Sequence, residues 1–561
     1  MKKLLLLAVA AAACTDATGP QISTPQRLIA VGSTSLSGEP GFVLADSVRV
    51  RLVDNEGKGM SGEHVAFAVT QGGGSVTPAD AVTNADGIAA AEWRLGPQAG
   101  THVLRASYNN QEVTIQATAR ESLGKNIVRI SGGSTAALVP AGCTLSDELV
   151  VKVTDSKGNP VAGASVGFEG AGTVTPEVAT TGADGIARGT WQVGYEGGLN
   201  TMRAVLRTAA RPSVEFTATA TAAAPGGYSV IGNQIFAPVT CKSILFHGMT
   251  RPALQWSPGG DDRYVDIADD MKNIRSWGAN IVRIPITQVF WLQGNKQYDA
   301  TYKARVIDAV KKARAAGLAV IVDNHASDRG DPNYSKTPDG QQMPDMNNTL
   351  PFWKDVATTF KNDGGVIFEL YNEPHETTWD IWLNGGDIAA GPTYPGGPFG
   401  EAYKAVGMQQ LYDAVRGVGA RNLVLVSGMH WGYYLDKVPQ YRVKGYNIIY
   451  GAHPYDWPDK QPEVWDRDFG VLAATDPVII SEFGAYDCSR LWYYNAALDF
   501  ADRKGMSWVA WAWWTPPPTS ASYTTEQRNN DICHFPALIT DWNGTPSQSG
   551  ALIKARLATY K

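Results

Sequence analysis

Val366-Ile-Phe-Glu-Leu-Tyr-Asn-Glu-Pro374 is a short apolar run that ends in polar residues and a proline. A strand buried on both faces reads this way: it has no wet face to alternate with, and a turn signal closes it. Pro477-Val-Ile-Ile-Ser-Glu-Phe-Gly484 has the same pattern. Working outward, similar runs occur at 244–249, 281–286, 319–324, 422–427, 447–452 and 507–513. Helical stretches lie between most of them, as at 264–277, 301–316, 402–417 and 489–503, and 548–559 follows the last. Eight strand and helix units over about 320 residues predict an α/β fold, a (β/α)8 TIM barrel spanning 226–561. A doubly wound open sheet is the alternative, but no Gly-x-Gly-x-x-Gly follows the first strand and no phosphate loop is present.

Upstream of the barrel the pattern is a repeat. Thr83-Asn-Ala-Asp-Gly-Ile-Ala-Ala-Ala-Glu-Trp93 returns as Thr181-Gly-Ala-Asp-Gly-Ile-Ala-Arg-Gly-Thr-Trp191, about one β-sandwich domain later. Alternating strands such as 47–53 and 149–154, separated by Asp-Gly turns, predict two all-β sandwiches at 25–120 and 121–222. Asp86 and Asp184 read as turn residues, not calcium ligands. Thr221-Ala-Ala-Ala-Pro-Gly-Gly227 reads as a linker. These two units resemble the immunoglobulin-like domains of bacterial invasin- and intimin-type surface proteins, which implies a sandwich and no activity of its own.

Residues 1–24 read as a targeting segment and tether: a charged start, an apolar stretch from Leu4 to Val9, and small residues before Cys14. Ala-Ala-Ala-Cys resembles a bacterial lipoprotein signal, which implies export and lipidation of Cys14. The expected location is the bacterial outer membrane or cell surface, otherwise secretion. No other stretch is long and apolar enough to cross a bilayer. The remaining cysteines are Cys143, Cys241, Cys488 and Cys533. In an oxidising compartment a loop-to-loop bridge between Cys488 and Cys533 is compatible with the strand order, while Cys143 and Cys241 either join two domains or stay free.

Net charge is −6 with acids and bases nearly balanced, and no basic stripe appears, so nucleic acid is not an expected partner. Of 17 tryptophans only Trp93 and Trp191 precede residue 225. Enrichment in the barrel suits a cleft that stacks flat sugar faces. Trp256, Trp291, Trp431 and Trp457 fall in its loops, each as fit for loop core as for a sugar platform.

In a parallel barrel the C-terminal strand ends converge on one face, so Glu373 after strand four and Glu482 after strand seven can meet. Two such carboxyls suit glycosidic bond cleavage. Arg283, His325, Asn372, His453, Tyr455 and Trp513 collect at the same ends. Asn-Glu-Pro (372–374), His-Pro-Tyr (453–455) and Ser-Glu-Phe-Gly (481–484) make residues 228–561 resemble glycoside hydrolase family 5.

That resemblance implies Glu482 as nucleophile and Glu373 as acid/base, with Glu482 repelling charge on Glu373 and keeping it protonated. It also implies Arg283 and Tyr455 on the nucleophile and Asn372 on the sugar 2-hydroxyl. His325 and His453 would be positioning groups, and Trp513 or Trp511 the floor under the cleaved sugar. No cofactor or metal is implied, and a monomer is expected. The implied activity is a retaining endo-β-1,4-glucanase acting on a polysaccharide. β-Mannanase or xyloglucanase is the near alternative, and an inactive glycan-binding surface lipoprotein is the alternative of another class.

Overall fold

The computed structural model describes residues 27–560 except 121–123, 209, 262–263, 331–340, 398, 517–531 and 533–535. The targeting segment, Cys14 and Cys533 therefore lie outside the described residues.

The C-terminal part is a closed parallel barrel. Its strands are β1 His247–Thr250, β2 Ile281–Thr287, β3 Ala319–Ala326, β4 Val366–Glu369, β5 Val424–Ser427, β6 Ile448–Ala452, β7 Val478–Ile480 and β8 Ser507–Ala510. β8 closes the ring on β1 through His247↔Trp508. The eight expected strands are present, but β4, β7 and β8 stop short of the predicted ends. The expected helix at 402–417 starts only at Met408, because Tyr403–Ala405 is extended. A helix at Met346–Phe360 follows β3, capped by Asp345, whose carboxylate accepts from the Asn348 amide. It buries Phe352, Trp353, Val356 and Phe360 along one stripe.

The strands read as unbroken apolar runs because both faces are covered. Val282, Val320, Val366, Phe368 and Val424 face the helical layer, in a core shared with Val306, Val356 and Leu411. Alternate residues Ile281, Ile321, Ile367, Leu425, Ile449, Ile479 and Val509 meet in a second cluster inside the ring, with Ile235 and Phe246. Ile235 belongs to a three-stranded sheet of Ser229–Ile231, Gln234–Phe236 and Ser243–Ile244, which supplies apolar cover to this inner cluster. His247 lies at the start of β1 with its ring stacked on Tyr560 at 3.9 Å.

The N-terminal part is two all-β units of like topology, each with a four-stranded and a five-stranded sheet and its own core. Trp93 and Trp191 are fully buried in these cores. The Asp-Gly turns behave as expected: the Asp184 carboxylate accepts from the Ile186 amide at 3.0 Å.

The predicted linker is more structured than its composition suggests. Ala223 and Ala224 are buried, and the Asn447 amide side chain donates to the Ala222 carbonyl at 2.7 Å. Arg421 donates to the Tyr195 carbonyl at 3.1 Å and pairs with Glu196 at 2.7 Å. Cys143 is disulfide-bonded to Cys241, so of the two expectations the joining one holds. Cys488 is also disulfide-bonded.

Candidate active site

Two residues beyond the inner apolar layer, the same inward faces become polar. Ile281, Ile321 and Ile367 are followed on their strands by Arg283, Asp323 and Glu369, all with fully buried side chains. The Arg283 guanidinium is the hub. It donates from Nε to Glu369 at 2.5 Å, from Nη1 to Glu482 at 2.5 Å and from Nη2 to Asn372 Oδ1 at 2.6 Å. Nη2 also lies 2.9 Å from Asp323.

One buried cation faces three carboxylates here, and of these only Glu482 reaches the cleft. Burial raises Asp323 to about 7 and Glu369 to about 8 against the pull of Arg283. Ser427 Oγ donates to the other Glu369 oxygen at 3.0 Å. Glu369 was not singled out from sequence, although the signal was there: a carboxylate two residues after Ile367 in an otherwise apolar strand points into the barrel.

Above this layer sit the two carboxyls of interest. One oxygen of Glu373, one of Glu482 and a ring nitrogen of His453 lie within 4.8 Å of one another. That donor set could hold a metal ion by spacing, but Arg283 already supplies positive charge to Glu482. Tyr455 donates its hydroxyl to the second Glu482 oxygen at 2.9 Å. His453 Nδ1 is 2.9 Å from Glu373 and its Nε2 is 3.0 Å from Ser481 Oγ. Burial pulls His453 down to about 3, so the ring is neutral.

Glu373 has its pKa raised, and burial is the cause; Lys460, His325 and Arg283 oppose it. Repulsion from Glu482 was the expected cause, but that carboxylate is matched by Arg283 and Tyr455. Lys460 was not anticipated. Its ammonium is buried beside the cleft, donating to the His430 carbonyl at 3.2 Å.

These groups floor a cleft of about 1060 Å³. His325 lines it, with Nδ1 2.7 Å from Asp323 and its ring stacked on Trp511 at 5.8 Å. Trp511 lines the cleft, whereas Trp513 is fully buried edge-on against Trp277 at 4.9 Å. The alternation that would place both on one face applies only within a paired strand, and β8 ends at Ala510. Of the two residues expected at the floor, Trp511 therefore faces the cleft and Trp513 does not.

Trp256, Trp431 and Trp457 line the cleft. Trp291 is core, with its indole N–H donated to Asp355 at 2.9 Å. His430 and Trp431 adopt left-handed backbone with φ of 57° and 60°, a conformation that costs about 1–2 kcal/mol per residue. It brings the Trp431 ring onto His375 at 3.6 Å, two residues after Glu373.

Residues 240–516 match the family described as cellulase (glycosyl hydrolase family 5), and this stretch is a domain of that family. A cellulase from Thermoanaerobacterium sp is 26% identical over 313 residues, covering 53% of this chain and 71% of the relative. Endoglucanase N of Pectobacterium atrosepticum is 25% identical over 315 residues, covering 55% and 62%. The match thus spans only part of these curated relatives. Among solved structures, a beta-glucanase from Saccharophagus degradans in complex with cellotetraose is similar at 21% identity and a TM-score of 0.43, covering 60% of this chain and 93% of that one.

Proposed function

We propose that the barrel is a retaining endo-β-1,4-glucanase that cleaves internal bonds of a β-glucan such as cellulose or mixed-linkage glucan. The observation that carries this reading is the approach of Glu373 and Glu482 to within 4.8 Å on the floor of an aromatic cleft. Carboxyls about 5–5.5 Å apart suit a covalent intermediate, whereas inversion needs a wider gap for water. The similar proteins named as cellulases and endoglucanases support glucan over mannan or xyloglucan.

In the first step Glu482 attacks the anomeric carbon, the bond to the leaving sugar breaks, and the Glu373 proton goes to the departing oxygen. Arg283 and Tyr455 each donate to one Glu482 oxygen and fix the direction of attack. Burial raises the pKa of Glu373, which favours the protonated carboxyl that this step needs. A neutral His453 that donates Nδ1–H to one Glu373 oxygen and accepts from the Ser481 hydroxyl at Nε2 leaves the acid proton to the other Glu373 oxygen. Asn372, its oxygen taken by Arg283, turns its amide N–H group toward the sugar 2-hydroxyl. In the second step water gives a proton to Glu373 and displaces Glu482 from carbon. Trp511 supplies the floor beneath the reacting sugar.

The N-terminal units are proposed as immunoglobulin-like spacers of an exported chain lipidated at Cys14. Their tryptophans are core and leave no platform for sugar. Mass measurement of the mature N-terminus checks the lipid. The activity test is reducing-sugar release from carboxymethyl cellulose, barley β-glucan, mannan, xylan and xyloglucan, with Glu482→Gln as control. Release from the glucans that vanishes in the control is expected; release from none of the five would overturn the reading.

A further inference from the structure

The chain between the helices Trp379–Asn384 and Met408–Gly417 leaves the barrel as two stacked ladders. Gly386–Ile388 pairs with Tyr403–Ala405, and Gly391–Pro392 pairs with Phe399–Gly400. The base of this hairpin is pinned. Tyr403 donates its hydroxyl to the Met343 carbonyl at 2.8 Å and accepts from the Met343 amide at 3.1 Å. Arg329 donates to the Glu401 carbonyl at 2.9 Å and lies 5.5 Å over the Tyr403 ring.

The far end carries Tyr394 and Phe399 into the cleft, 39% and 64% exposed. Tyr394 meets Trp431 edge-on at 5.5 Å, and Trp431 rests on His375, which follows Glu373. The hairpin therefore joins the aromatic wall on the side of the proton donor. Trp256, Trp511 and His325 form a separate ring cluster, with Trp256 and Trp511 6.4 Å apart. Tyr394, Phe399 and Trp431 thus line one cleft together, and an exposed aromatic surface of that kind suits a ligand.

We propose that this hairpin is the wall that holds the leaving part of a polymer, with Tyr394 and Phe399 stacking on its pyranose faces, and that it sets preference for substrates extended beyond the cleaved bond. The chemistry follows from position: the sugar that receives the proton departs on the proton donor's side, so rings there meet leaving sugars. This inference rests on the glucanase reading.

The test compares kcat/KM for cellohexaose with that for 4-nitrophenyl β-cellobioside, whose leaving group is a phenol in place of sugars. In Phe399→Ala, and further in the Tyr394→Ala/Phe399→Ala double variant, the ratio of cellohexaose to aryl substrate should fall about tenfold. Phe399→Tyr, which keeps the ring, should restore it. An unchanged ratio in the folded double variant, or no rescue by Phe399→Tyr, would overturn the hairpin's role while leaving the glucanase reading intact. Turnover of neither substrate by the unaltered protein would remove the glucanase reading, and the hairpin's role with it.

Discussion

The two ends of the barrel interior are built from the same strands and could hardly differ more. In the lower layer Ile281, Ile321 and Ile367 pack on Ile235 and Phe246. Two residues along the same strands, Arg283, Asp323 and Glu369 replace them on the same inward face. The lower layer is apolar burial, worth ~1.5–3 kcal/mol for each large side chain. The upper layer is a buried cation among carboxylates, an arrangement whose desolvation cost can exceed its Coulombic gain. One step of the pleat separates the apolar layer from the layer that holds Glu482, so each is expected to be altered with little effect on the other.

The sharpest break of that comparison is at the top. Glu482→Gln should lower kcat by about 10⁴-fold or more while the thermal midpoint moves little. A variant with near-normal turnover would refute its role. The converse is Phe246→Ala in the lower layer. It should cost ~3–5 kcal/mol in urea unfolding and change kcat/KM about twofold or less. A large activity loss with stability intact would mean the ends are coupled.

Between the two lies the aromatic pair that the strand end separates. Trp511→Ala should lower kcat/KM by roughly 10- to 100-fold, since about 1.4 kcal/mol of lost stacking is tenfold. Trp513→Phe should change it by about twofold or less, as an alteration of core packing only.

The smallest effect concerns pH. Asp323 and Glu369, raised to about 7 and about 8, keep protons in the folded chain that the unfolded chain has released. Their contribution is full below the unfolded carboxylate range near pH 4 and is lost as pH climbs through 7 and 8. His247, His325 and His375 at about 4 and His453 at about 3 act with opposite sign, losing stability as pH falls below 6.5. The two sets oppose each other below pH 6.5, and above it the raised carboxylates decide. Stability measured by urea unfolding should fall from pH 6.5 to 8, by on the order of 1 kcal/mol per unit. Glu369→Gln should flatten the upper part of that fall; an unchanged slope would mean Glu369 is not its source.

Much of the barrel was legible because period and burial speak together: strands covered on both faces carry continuous apolar residues, and the eight runs stand out. The meeting of Glu373 and Glu482 was legible for a second reason, since polar residues directly after such runs have one face to go to. Glu369 escaped notice because a lone charge inside an apolar run is weak evidence until its neighbours Arg283 and Asp323 are seen on the adjoining strands. Trp511 and Trp513 could not be told apart from sequence because the chain leaves the hydrogen-bonded ladder at Ala510, and the alternation that ladder enforces ends with it. The hairpin at 386–405 was silent for a different reason. Gly391-Pro-Thr-Tyr-Pro-Gly-Gly397 has loop composition, and only its ladders and the hold of Arg329 and Tyr403 reveal a wall.

The joint between the second β unit and the barrel has a mechanical consequence. The Cys143–Cys241 bond, the Arg421–Glu196 pair and the hold of Asn447 on Ala222 all attach ahead of strand starts, at the blind end. A pull on that unit therefore enters the barrel at the starts of its strands, through residues that do not line the cleft, and reaches Glu373 and Glu482 only by way of the strand ladder and the apolar cluster inside it.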